Sequence, residues 1–70
     1  MMSQPRYTQA LLRRLIWETK DTEDLCDLCR LYRDLEAQGD ITITQRLKME
    51  INIQQRILID RDLLDKQNLT

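Results

Sequence analysis

Residues 41–66 read ITITQRLKMEINIQQRILIDRDLLDK, and the fold turns on whether this stretch is one long helix or a strand followed by a helix. It holds neither glycine nor proline and is entered through Gly39, the single glycine of the chain. From Ile41 to Ile53 the odd positions are Ile41, Ile43, Gln45, Leu47, Met49, Ile51 and Ile53, while every even position is polar. Alternation at period two is the mark of a half-buried strand. Two features oppose it. Arg46/Glu50, Arg56/Asp60, Arg61/Asp65 and Asp62/Lys66 each stand four residues apart, the spacing at which opposite charges support a helix. A strand over 41–53 would also be long, with no hairpin partner elsewhere in the chain. Good helix formers from Gln45 to Glu50 add to the balance, which predicts a helix over 42–66 beginning near Thr42 or Thr44.

Wound at about 100° per residue, that helix carries Ile43, Leu47, Ile51 and Leu58 in one stripe. Ile53, Ile57 and Leu64 fall in a second stripe about a quarter of a turn away, and Met49, Ile59 and Leu63 lie further round. Two short helices cannot cover so much apolar surface. Leu47, Ile51 and Leu58 are therefore expected to face the internal core, and Ile53, Ile57, Leu64 and Met49 to form an oligomer or partner interface.

Working back along the chain, Tyr7, Leu11 and Leu15 recur every four residues, with Ala10, Leu12 and Ile16 widening the stripe. They predict a helix over 4–18, capped by Ser3 and carrying Pro5 in its first turn, where a missing N–H costs nothing. Asp21 is placed to cap a second helix over 22–38, with Glu23 and Asp24 favoured in its first turn by the helix dipole. Its seam is Leu25, Leu28, Tyr32 and Leu35 at coiled-coil spacing, flanked by Cys29 and Leu31. Gly39 follows, suited to the left-handed position that closes a helix.

The expected fold class is all-α: one domain over 1–70 with two shorter helices and a long C-terminal one, completed by oligomerisation into a helical bundle. A chain of 70 residues buries only about 60% of its unfolded surface, so an oligomer would supply stability that a private core lacks. Charge is distributed unevenly. Residues 1–20 net +3, residues 21–40 net -5 and residues 41–70 net +1, so the basic and acidic segments are expected to lie against each other or against copies of each other.

The residue inventory argues against catalysis. Histidine is absent, and with it the commonest general base near neutral pH. No glycine-rich phosphate loop and no serine-centred elbow occurs. Cys26-Asp27-Leu28-Cys29 is a lone CxxC, and a zinc site would need the same pair from a second chain to reach four ligands. Glu23, Asp24 and Asp27 would raise the thiol pKa, contrary to what a redox pair requires, so both cysteines are expected to be reduced and to pack beside the seam. Asp60, Asp62 and Asp65 are interleaved with Arg56, Arg61 and Lys66 and read as a solvated face. No cofactor or metal is expected.

The residues thus predict a non-catalytic protein–protein interaction or adaptor protein acting as a homodimer or higher oligomer on an unidentified protein. The alternative is a small dimeric transcriptional regulator, with Arg6, Arg13, Arg14, Trp17 and Lys20 as candidate docking or phosphate contacts on nucleic acid. The simpler expectation for those residues packs Trp17 in the core and leaves the arginines solvated. Net charge -1 lacks the basic excess usual in nucleic-acid binders. A third possibility is a structural component of a larger particle. Neither a targeting segment nor a membrane span is visible, and a cytoplasmic protein without a membrane partner is expected.

Overall fold

The computed structural model describes residues 7–67. Three helices, α1 (Gln9–Glu18), α2 (Thr22–Ala37) and α3 (Gln45–Gln67), make the described residues 80% helical, and no strand occurs among them. The protein is an all-α three-helix arrangement. The disputed stretch is helix from Gln45 onward, and only residues 40–44, Ile41 and Ile43 among them, remain as loop.

Each helix starts on a side-chain oxygen that accepts a backbone N–H left without a partner in the first turn. Thr8 Oγ1 accepts from the Leu11 N–H at 3.2 Å, Asp21 Oδ1 from Asp24 at 2.7 Å, and Thr44 Oγ1 from Leu47 at 3.2 Å. The Asp21 cap agrees with expectation. The first helix begins later than the residue pattern implied: Tyr7 precedes it, Thr8 caps it, and Ser3, Pro5 and Arg6 lie outside the described residues. Thr44 rather than Thr42 opens α3 because the Thr44 hydroxyl also donates to Gln9 Oε1 at 3.3 Å, tying the loop to the first turn of α1. Gln9 Nε2 completes that clamp on the Thr42 carbonyl at 2.9 Å.

α2 closes through Gly39, whose φ of 81° is left-handed as expected. The Gly39 N–H reaches the Glu36 carbonyl at 3.0 Å, and the Asp40 N–H reaches the Leu35 carbonyl at 2.9 Å. Together they satisfy carbonyls that the helix end would leave open, in the Schellman arrangement. Glu36 Oε2 then accepts the Ile43 N–H at 2.9 Å and folds the loop back toward α3.

The order of contacts gives the topology. Gln9 meets Thr42 and Thr44, Arg13 and Trp17 meet Glu50, and Thr19 meets Gln54, so α1 packs directly on α3 and parallel to it, while α2 runs back antiparallel to both. The core is Leu12, Ile16, Leu25, Tyr32, Ile41, Leu47 and Leu58, with Leu28, Cys29, Leu35, Ile43 and Ile51 packed against it. Burying one such side chain is worth roughly 1.5–3 kcal/mol. The α2 seam lies where its spacing put it. On α1 the core face is displaced by one residue: Leu12 and Ile16 are buried, whereas Leu11 is exposed and Leu15 half-buried. Tyr7, expected in the stripe, is exposed and precedes the helix. The displacement follows from tertiary contacts: the buried Tyr32 hydroxyl donates to the Leu12 carbonyl at 2.7 Å, and Arg13 and Trp17 turn toward α3.

Candidate association surface

α3 turns Leu47, Gln54 and Leu58 inward, with Ile51 half-buried beside them. Gln54 is the buried polar residue that hydrophobic patterning passes over, only 6% exposed. Its Nε2 donates to the Thr19 carbonyl at 3.0 Å, and the Thr19 hydroxyl donates in turn to the Ile16 carbonyl at 2.6 Å. Gln54 thus fastens the α1–α2 connection to α3. Its place in the series Leu47, Ile51, Gln54, Leu58 at helical spacing is the one sequence signal that could have found it.

A second face of α3 is left largely open to solvent. Met49 is 55% exposed, Ile53 48%, Ile57 42% and Leu64 58%, and their numbers place them on one arc about 115° from the buried row. Ile59 and Leu63 continue the apolar surface around the helix. Every residue from Ile59 to Lys66 is exposed, although Arg61, Asp62 and Asp65 still line a recess with Lys20, Asp21 and Thr22 at the α1–α2 connection. Three of the charge pairs line this helix: Arg46–Glu50 at 3.7 Å, Arg56–Asp60 at 4.0 Å and Asp62–Lys66 at 4.0 Å. The fourth, Arg61 with Asp65, does not close among the described residues. Exposed pairs of this kind add at most a few tenths of a kcal/mol each.

Where α1 meets α3, Glu50 gathers three partners. Trp17 Nε1 donates to Oε1 at 2.8 Å, while Arg13 Nε stands 2.8 Å from Oε2 and Arg46 Nε 3.7 Å. The Arg13 contact is close but poorly aligned for a hydrogen bond and acts as an ion pair. The indole bond, followed by the nearby guanidinium charges, holds the Glu50 carboxyl below its ordinary range despite partial desolvation. Trp17 is not a core residue, contrary to the simpler expectation: it is 42% exposed on the flank of α3. Glu50 lies three residues before Ile53 and seven before Ile57, so the indole borders the apolar arc.

The basic set is dispersed accordingly. Arg13 is committed to Glu50, and Arg14 Nε to Glu18 at 2.8 Å. Lys20 stands apart at the α1–α2 connection, beside Asp21, Asp62 and Asp65. Arg6 lies outside the described residues. Cys26 is exposed and Cys29 half-buried, both as free thiols. Burial pushes the Cys29 thiol up, with Cys26 adding to it, so the cause is desolvation rather than the neighbouring acids. Among the described residues no Cys, Asp and Glu side chains cluster to hold a metal ion, and no helix is long and apolar enough to cross a membrane. Comparison with models of known families, with curated protein sequences and with solved structures finds no match for this chain.

Proposed function

We propose that this chain is a non-catalytic helical association module that acts as a homo-oligomer and binds another protein. The observation that carries it is the outer arc of α3, where Met49, Ile53, Ile57 and Leu64 are 42–58% exposed. Contiguous apolar surface of this kind, rimmed by polar residues, marks interaction sites. A second support is the exposure of every α3 residue from Ile59 to Lys66, because a helix end with little tertiary packing is marginal in water. Self-association along this arc would cover Ile53 and Ile57 and bury part of the exposed last turns of α3.

Sedimentation at micromolar concentration tests the proposal. A mass above the monomer is expected, falling to the monomer in Ile53→Glu and Ile57→Glu variants that keep their helicity. A parent protein that stays monomeric while stably folded refutes the homo-oligomer.

A further inference from the structure

α1 and α2 face each other on a side that α3 does not reach. There Leu15, Leu28 and Leu31 floor a shallow groove whose edges are Glu18, Asp24 and Asp27. Leu31 is 50% exposed, and Leu11, one turn before Leu15, is 38% exposed. Leu11 and Leu15 are left on this side because the core face of α1 is displaced onto Leu12 and Ile16. None of the residues lining the groove is basic, and the nearby Arg14 is held by Glu18 at 2.8 Å. Asp34, seven residues after Asp27, extends the acidic edge by two turns along the same side of α2.

We infer that this acidic-edged leucine groove docks a basic amphipathic helix of another protein, one leucine-rich stripe of it lying on Leu15, Leu28 and Leu31 between rows of lysine or arginine. Charge selects that occupant. A helix laid in the groove brings one flank against Asp24 and Asp27 on α2, which attract basic side chains and reject acidic ones, while Glu18 on the α1 edge is shared with Arg14. No described helix of this chain fits the specification. The arc of α3 mixes Arg46 and Arg56 with Glu50 and Asp60, α2 is acidic, and Arg13 and Arg14 of α1 are committed to Glu50 and Glu18. Seating α3 of a second copy here would also be a heterologous contact, unlike the self-complementary patch of a two-fold dimer. The ten residues of α1 span about 15 Å, room for roughly three turns of a bound helix. The inference rests on the chain being an association module but uses a different face from the α3 arc.

The test is a titration of the full chain into a labelled synthetic peptide of roughly 18 residues with one leucine stripe between two rows of lysine, followed by anisotropy. A companion peptide carries glutamate in place of lysine. Expected is saturable binding of the lysine peptide, weakened at least about tenfold in the glutamate peptide and in each of Leu31→Glu and Asp27→Lys. Leu31 is half-exposed and Asp27 exposed, and unchanged circular dichroism identifies variants that remain folded. Absence of binding, equal affinity for the two peptides, or affinity undiminished by both variants overturns the inference. So does a fall in the mass of the parent oligomer on Leu31→Glu, since the groove would then be a contact between copies. The Ile53→Glu variant separates the two surfaces, because it is expected to lose the oligomer and retain the peptide. A monomeric parent that binds the lysine peptide refutes the α3 interface and supports the groove.

Discussion

The indole of Trp17 and the carboxylate of Glu50, 33 residues apart in sequence, are joined at 2.8 Å and fix the flank of α1 to α3. Trp17 is the only tryptophan, so its emission reports this contact directly. The Glu50 pKa is held below its ordinary 4.5, which means the ionised form is favoured by folding. Its contribution to stability is complete above pH 4.5 and is lost as pH falls through the lowered folded value. An acid titration of the denaturation midpoint is expected to fall in that window for the parent protein and to be flatter for Glu50→Gln. Glu50→Ala, which also removes the acceptor, shifts Trp17 emission at neutral pH more than Glu50→Gln does. Indistinguishable acid profiles of parent and Glu50→Gln would refute the coupling.

Tyr32 supplies the opposite pH dependence. Burial raises its pKa from 10.0 to about 12, with Cys29 adding to the effect. The neutral phenol is the form that folds, so its contribution is intact below pH 10 and is lost as pH rises through 12. The two-unit shift corresponds to roughly 2–3 kcal/mol across that interval. Tyr32→Phe is expected to cost about 1 kcal/mol at neutral pH, through loss of the bond to the Leu12 carbonyl, and to flatten the alkaline limb of the urea midpoint.

Gly39 is required for its backbone conformation and not for space. A Cβ built there meets nothing within 4 Å, yet φ is 81°. Gly39→Ala is expected to cost about 1–2 kcal/mol in chemical denaturation, with Gly39→Asn milder because Asn tolerates the left-handed region. An alanine variant of parent stability would contradict the Schellman closure.

Gln54 separates hydrogen bonding from volume. Gln54→Leu keeps the bulk but strips the Thr19 carbonyl of its donor, and is expected to cost about 1 kcal/mol. Gln54→Ala adds a cavity beside Leu47 and Leu58 and is expected to cost about 2 kcal/mol or more. A leucine variant more stable than the parent protein would show that the Thr19 clamp is dispensable.

The two sides of α3 divide by substitution. Leu47 is fully buried, and Leu47→Ala is expected to cost 2–5 kcal/mol at any protein concentration, within the usual range for core truncation. Ile53→Ala is expected to cost under about 0.5 kcal/mol in dilute protein, where the site faces solvent. At higher concentration the gap between Ile53→Ala and the parent protein widens if oligomerisation buries the site. Thermal scans over a concentration series read both effects.

Much of the helical framework was legible because it is written in local rules. Asp21 and Gly39 bracket α2 through short-range hydrogen bonds, and its seam of Leu25, Leu28, Tyr32 and Leu35 follows from helical spacing alone. The inward row of α3 was equally visible: Leu47 and Leu58 are buried where their stripe put them. Less was legible on α1. Leu11, Leu12, Leu15 and Ile16 offer two overlapping faces, and periodicity cannot choose between faces one residue apart. The strand-like alternation over 47–53 arose because α3 carries apolar residues on its core side and on its outer arc at once, while Ile41 and Ile43 extend it from the loop before the helix.

Taken by itself, the sequence determined three helices, the approximate limits of α2 and α3 and the apolar excess of 41–66, since caps, propensity and the four-residue charge spacing act within a few residues. Which face of α1 lies inward, that Gln54 is buried, and that Trp17 and Arg13 converge on Glu50 were decided only by the tertiary structure. Those contacts join groups 33 to 37 residues apart, and their geometry exists only once α1 and α3 lie side by side. The stretch 41–66 owes its helical form to local chemistry, and the division between its buried row and its exposed arc to where α1 and α2 come to rest.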